Sequence, residues 1–190
     1  MIHKLKRTPA IYLVGFMGCG KTTVGRLLAR QLGWLFADLD EDIEALVGLK
    51  IREIFAQHGE QEFRRIEHEA LRQRILRIQK GEATVLALGG GAFAQPANYE
   101  LVSENGISIW LDCPLEVLRV RVAGDPERPL AQDPVRFAHL YEERRQAYAR
   151  ADFRVDAGNR APEQIVSEIL QLPIFQSGGL GWSGNSDARL

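Results

Sequence analysis

Ile11-Tyr12-Leu13-Val14-Gly15-Phe16-Met17-Gly18-Cys19-Gly20-Lys21-Thr22 is the stretch whose reading decides the fold. Its first four residues are a short, β-rich apolar run that ends in glycines. From Thr22 to Leu32 the apolar residues then fall at 24, 27, 28 and 32, a helical period. Strand, loop and helix therefore follow one another, and the loop spells G-x-x-x-x-G-K-[ST] across residues 15–22. Glycines there let backbone N–H groups wrap a phosphate at a helix N-terminus. Lys21 reaches the outer phosphates and the Thr22 hydroxyl can ligate Mg²⁺.

Outward from this loop the chain alternates. Leu35–Ala37, Thr84–Leu88, Ile107–Leu111 and Phe153–Val155 read as further strands. Helical patterns occupy Asp40–Leu46, Ile51–Gln57, Glu60–Ile78, Pro114–Val122, Pro134–Ala149 and Pro162–Leu172. Such alternation predicts an α/β fold of three layers, α/β/α, with a five-stranded parallel sheet of the P-loop NTPase type covered on both faces. A single domain over residues 1–176 accommodates it. Ala123–Asp133, rich in Gly, Asp and Pro, reads as a long mobile loop, and 177–190 as a disordered tail.

Composition narrows the partners. The 190 residues are 45% hydrophobic and carry a net charge of -1, so no global field argues for nucleic acid or an anionic membrane. No run approaches the roughly 20 apolar residues that a membrane span needs. Cys19 and Cys113 fit no metal spacing and no disulfide framework, which predicts a reduced, cytoplasmic setting. The 19 Arg outnumber the 5 Lys, and nine of them fall between Arg119 and Arg160. Most of those nine read as a solvated helix face, with some available to grip an anion through the planar guanidinium fork.

A phosphate-binding loop implies a nucleotide without naming the reaction. No N-K-x-D occurs to read guanine, and the chain is small for a motor or transporter ATPase, which leaves a small kinase. Its acceptor site belongs at the C-terminal edge of the sheet. Asp38-Leu39-Asp40 lies just past the second strand, where one carboxylate can serve Mg²⁺ and the other an acceptor hydroxyl; Asp40 is equally a good N-cap for the next helix. Asp112 mimics the acidic end of a Walker B strand, but Cys113-Pro114 follows at once and assigns it to a helix start. Gly89-Gly90-Gly91 ends the third strand and lets a substrate approach the backbone. Arg64 borders the stripe Phe63, Ile66, Ala70, Leu71, with Glu67 one turn on, and Arg144 shares a helical face with Phe137, Tyr141 and Tyr148. An inward Arg has an anion to hold, either a substrate or a structural carboxylate.

Taken together these motifs resemble the shikimate kinase family, from Ile11 to about Leu172. They are the loop at 15–22, Asp38-Leu-Asp40 with Ile43-Glu44, Ile51–Phe55 with Gly59-Glu60, Phe63-Arg64 and Glu67, the glycine turn through Ala92, Arg128-Pro-Leu130, and Arg144 four residues before Tyr148. The resemblance implies transfer of the ATP γ-phosphoryl to the 3-hydroxyl of shikimate, on the route to chorismate, by a cytoplasmic monomer acting on small molecules. It puts Lys21 and Arg128 on the transferring phosphoryl and Thr22 with Asp38 on Mg²⁺. Asp40 falls on the acceptor hydroxyl, and Arg64, Arg144 and Gly89, Gly90 and Gly91 fall on shikimate. Gly18, Cys19, Gly20, Lys21, Thr22 and Thr23 hold the nucleotide, Arg121 and Arg160 fall near adenine, and the 123–133 loop becomes a lid. Gln146 stands where the family often has Pro, and Phe93 where a smaller residue is common, which predicts a helix that starts or bends differently from the family's and a tighter acceptor pocket respectively. Another small P-loop kinase, for gluconate or a nucleoside monophosphate, and a non-catalytic nucleotide-binding module remain the alternatives.

Overall fold

The computed structural model describes residues 10–123 and 133–176. Five parallel strands, β1 (Ala10–Val14), β2 (Leu35–Asp38), β3 (Thr84–Ala87), β4 (Ile107–Asp112) and β5 (Phe153–Asp156), form one sheet in the order β2-β3-β1-β4-β5. β1 lies at the centre, with Ile11 opposite Val85 of β3 and Ile107 of β4. All five of its residues are buried, as an unbroken apolar run in a sheet covered on both faces requires. The core joins this strand to Leu28 of α1 (Lys21–Leu32), Leu39 and Ile43 of α2 (Leu39–Val47), Leu71 of α3 (Ile51–Gln79) and Val166 of α7 (Pro162–Leu170).

Helix boundaries follow local chemistry. α1 stops at Gly33, whose left-handed backbone turns its N–H back onto the Ala29 and Arg30 carbonyls. α3 is interrupted at Gly59 (φ 75°), so the two helical patterns expected on either side of that residue are real and meet at a kink. α6 (Pro134–Tyr148) begins with Asp133 accepting from the Val135 and Arg136 N–H groups. It runs unbroken through exposed Gln146.

Three readings need correction. Residues 92–105, where the sequence pattern shows no element, form a 3₁₀ turn (Ala92–Ala94) and α4 (Pro96–Asn105). Only Asn98 and Val102 of α4 are buried, too few for a visible apolar stripe. Asp112 is the last residue of β4, not part of a helix start; its carboxylate pairs with Arg154, its carbonyl accepts from Ala157 N–H at 2.7 Å, and Pro114 caps α5 (Leu115–Val122). Phe93 turns into the core, edge-on to Tyr99 at 5.3 Å, and so does not narrow the acceptor pocket. The expected tail 177–190 and nearly all of the 123–133 loop, with Arg128, lie outside the described residues.

Candidate active site

Parallel strands deliver their C-terminal ends to one edge of the sheet, and the chemistry collects there. β1 runs into the loop Gly15–Gly20. Gly15 has φ 144°, and a Cβ on it would sit 2.7 Å from the Leu111 carbonyl and 2.9 Å from Cys19 Sγ, so neither the backbone shape nor the space tolerates a side chain. Lys21 Nζ donates to the Gly15 and Phe16 carbonyls at 2.8 and 3.2 Å, which holds the ammonium over the loop. Cys19 is buried beneath it, and Thr22 and Thr23 open α1 on its exposed side.

β2 ends at Asp38, whose two carboxylate oxygens have different duties. Oδ1 accepts from the Asp40 N–H at 3.1 Å and caps α2, while Oδ2 accepts from Thr22 Oγ1 at 2.8 Å. The capping role considered for Asp40 thus belongs to Asp38, and Asp40 is left in the first turn of α2 facing the glycine turn. A Cβ built on Gly89 would lie 2.6 Å from Asp40 Oδ1 and 3.5 Å from Glu67 Oε1.

Two arginines meet the same turn from different helices. Arg64 of α3 lies against Gly91, where a Cβ would be 2.8 Å from both Nη atoms. It donates to both Glu67 oxygens at 3.0 and 3.2 Å and to Glu60 at 3.2 Å, and its buried Nε has no partner among the described residues. The structural carboxylates weighed for Arg64 are therefore present, with one donor still unsatisfied. Arg144 of α6 lies against Gly90, 3.1 Å from a Cβ there and 5.8 Å from the Phe16 ring. No carboxylate among the described residues is within ion-pair distance of Arg144. Asp40, Arg64 and Arg144 thus converge on Gly89–Gly91.

The two arginines expected near adenine behave differently. Arg121 donates to Gly158 O (2.5 Å), Ala157 O (3.3 Å) and Gly18 O (3.4 Å), tying the phosphate loop to the segment after β5. Arg160 is turned onto α7, ion-paired with Glu168 and donating to the Asp156 and Gln164 carbonyls. Its guanidinium is committed to the protein.

A family model described as shikimate kinase matches residues 17–173. The chain belongs to the shikimate kinase family. A shikimate kinase of Persephonella marina is 45% identical over 161 residues, covering 84% of this chain and 96% of its own. Among solved structures, the shikimate kinase of Acinetobacter baumannii in complex with shikimate superposes with a TM-score of 0.81 at 38% identity, covering 90% of this chain and 96% of that one. The Aquifex aeolicus shikimate kinase gives 0.75 at 39% identity, over 85% and 94%. A gluconokinase of Sinorhizobium meliloti, 18% identical with a TM-score of 0.54, shares the fold alone.

Within this shikimate kinase site, two groups escaped residue-level reasoning. The sequence shows Glu67 as a neighbour of Arg64 one turn on, and the structure buries it between Arg64 and Asp40. Burial pushes its carboxyl above the ordinary range, against the opposing pull of Arg64. The signal was legible: a carboxylate amid Phe63, Ile66, Ala70 and Leu71 is out of place without a partner. The Tyr148 hydroxyl, which donates to Gly90 O, was read only as part of an aromatic face. The expected metal also fits the donors present, because Thr22 and Asp38 offer two hard oxygens 2.8 Å apart beside the phosphate loop. Among the described residues no cluster of three or more His, Cys, Asp or Glu competes for an ion. Few protein ligands and room for phosphate and water oxygens are what Mg²⁺ prefers.

Proposed function

We propose that this protein transfers the γ-phosphoryl group of ATP to the 3-hydroxyl of shikimate, giving shikimate 3-phosphate and ADP for chorismate and aromatic amino acid synthesis. The observation that carries the reading is the convergence of Arg64, Arg144 and Asp40 on the glycine turn beside the phosphate loop. A hydroxylated carboxylate needs that set: cationic forks for its anion, backbone for close approach, and one carboxylate for a hydroxyl.

In this account Gly18–Thr23 cradle the nucleotide phosphates and Lys21 balances charge on the group in transfer. Thr22 and Asp38 hold Mg²⁺, which, when bound, neutralises negative charge on the phosphoryl oxygens. Asp40 orients the acceptor hydroxyl and takes its proton as the new O–P bond forms and the bond from the γ-phosphorus to the bridging oxygen of ADP breaks. Arg64 and Arg144 grip the shikimate carboxylate. A loose transition state asks for positioning and charge neutralisation more than covalent help, so this is a sufficient set. Arg128, outside the described residues, is assigned to the transferring phosphoryl on resemblance alone, as Arg121 and Arg160 are to the adenine side. We further assign the enzyme to the cytoplasm as a monomer. Both cysteines are free and buried, in keeping with a reducing compartment, and no described helix is long and apolar enough to cross a membrane.

The test is ADP formation with ATP and Mg²⁺ in the presence of shikimate, of gluconate and of no acceptor. Turnover that depends on shikimate supports the reading. Turnover that gluconate alone supports, or ATP binding with no acceptor-dependent turnover, overturns it.

A further inference from the structure

Tyr148 sits at the last turn of α6, and its ring is almost wholly buried, tilted against Trp110 at 6.2 Å. Its hydroxyl emerges at the glycine turn and donates to the Gly90 carbonyl. Arg144, one turn earlier on the same helix face, packs beside it: a Cβ on Gly90 would lie 3.1 Å from Arg144 Nη1 and 3.9 Å from the Tyr148 hydroxyl. The phenol that holds this backbone carbonyl therefore also has a guanidinium for a neighbour. The Gly90 and Gly91 N–H groups have no acceptor among the described residues.

Peptide planarity gives this bond a consequence at the acceptor site. In a trans peptide the carbonyl of Gly90 and the N–H of Gly91 point in opposite directions and turn together. A glycine run has the freest backbone in the chain, so without a tether this peptide plane could turn away. Fixing the Gly90 carbonyl fixes the direction of the Gly91 donor, and the same hydroxyl shares the Gly90 surface with Arg144.

We propose that Tyr148 is a positioning residue for the acceptor: its hydroxyl locks the Gly90–Gly91 peptide and the Arg144 guanidinium into one rigid unit that presents both to the shikimate carboxylate side of the pocket. The proposal rests on the function assigned above. It makes Tyr148 a determinant of acceptor affinity rather than of chemistry or of nucleotide binding.

Tyr148→Phe removes only the hydroxyl and keeps the ring against Trp110. Tyr141→Phe is the matched control, since Tyr141 lies on the same helix and donates its hydroxyl to the Cys113 carbonyl at 3.2 Å, away from the glycine turn. With steady-state kinetics in both substrates, Tyr148→Phe should raise the KM for shikimate about tenfold, the scale of one lost hydrogen bond in a charged network, with the KM for ATP changed less than about twofold. Tyr141→Phe should leave both KM values near wild type. In the Tyr148→Phe/Arg144→Lys double variant the losses should be less than additive, because the hydroxyl acts through that guanidinium.

Equal effects of the two Phe variants on shikimate KM, a parallel rise in ATP KM, or full additivity with Arg144→Lys would each overturn the proposal and leave Tyr148 as a helix anchor. Wild-type protein that does not turn over shikimate would instead refute the function itself, so the two failures are distinguishable.

Discussion

Adding one methyl group at two points of the glycine turn should split the activity into its two components. Neither Gly89 nor Gly91 has a left-handed backbone, Gly91 having φ -105°, so alanine strains neither position and acts only through what its Cβ meets. In Gly89→Ala that atom would be 2.6 Å from Asp40 Oδ1, and ordinary contact begins at 3.4 Å, so the carboxylate must retreat by about 0.8 Å. A misplacement near 1 Å at a reacting group costs about a hundredfold in rate, roughly 2.7 kcal/mol of transition-state stabilisation. In Gly91→Ala both Arg64 Nη atoms start at 2.8 Å and must yield about 0.6 Å, enough to break at least one of the bonds of 3.0 and 3.2 Å to Glu67. The displaced guanidinium should lose one charged hydrogen bond to the shikimate carboxylate, which weakens shikimate binding by about 1.5 to 3 kcal/mol. The assay is steady-state kinetics in both substrates with a thermal melt of each variant. Gly89→Ala should lower kcat and Gly91→Ala should raise the shikimate KM, with ATP KM near wild type in both. A normally melting Gly89→Ala protein with wild-type kcat would refute the placement of Asp40 at the acceptor hydroxyl, and a shared loss of ATP affinity would refute the separation of the two sites.

Lys21→Met should leave the melting temperature within a few degrees while turnover falls by orders of magnitude, because the glycines and not the ammonium set the shape of the loop; an active variant would remove Lys21 from the chemistry. Raising Mg²⁺ should partly rescue Asp38→Asn but not Asp40→Asn, and equal rescue of both would refute the division of labour between the two carboxylates. Arg144→Lys keeps the charge and loses the fork, so calorimetric titration should show shikimate affinity reduced by about 1.5 to 3 kcal/mol with ATP binding unchanged. Glu67, whose carboxyl is raised by burial, binds its proton more tightly folded than unfolded. Its contribution to stability is present in full below the unfolded value and is lost as pH rises through the folded one. Glu67→Gln should therefore flatten melting temperature against pH across that window, and an unaltered profile would show that Glu67 does not titrate there.

The chain's periodicities carried most of the fold because both classes of element announce themselves. β1 is an unbroken apolar run, and the stripes of α1 and α7 are regular. The break between the two expected helices over 51–78 was also legible, since Gly59 interrupts the pattern where the kink lies. α4 was not, because a helix that buries only Asn98 and Val102 leaves no stripe to read. In the site, the loop at 15–22, the carboxylate pair past β2 and the glycine turn were readable from residue type and strand ends, whereas the grouping of Asp40, Arg64, Arg144 and that turn came from the family resemblance. What sequence does not encode locally is partnership across elements. The division of Asp38 between Thr22 and the α2 cap, and the bond from Tyr148 to a carbonyl 58 residues away, arise from packing alone.

The central claim is tested most directly by the position of the transferred phosphoryl group. The purified protein is incubated with ATP, Mg²⁺ and shikimate, and the product is analysed by phosphorus and proton nuclear magnetic resonance alongside ADP release. The account predicts one ADP per shikimate consumed, with phosphorus coupled to the proton on carbon 3 of the ring. Phosphate on another hydroxyl, or ADP released as free inorganic phosphate with shikimate unchanged, would contradict it.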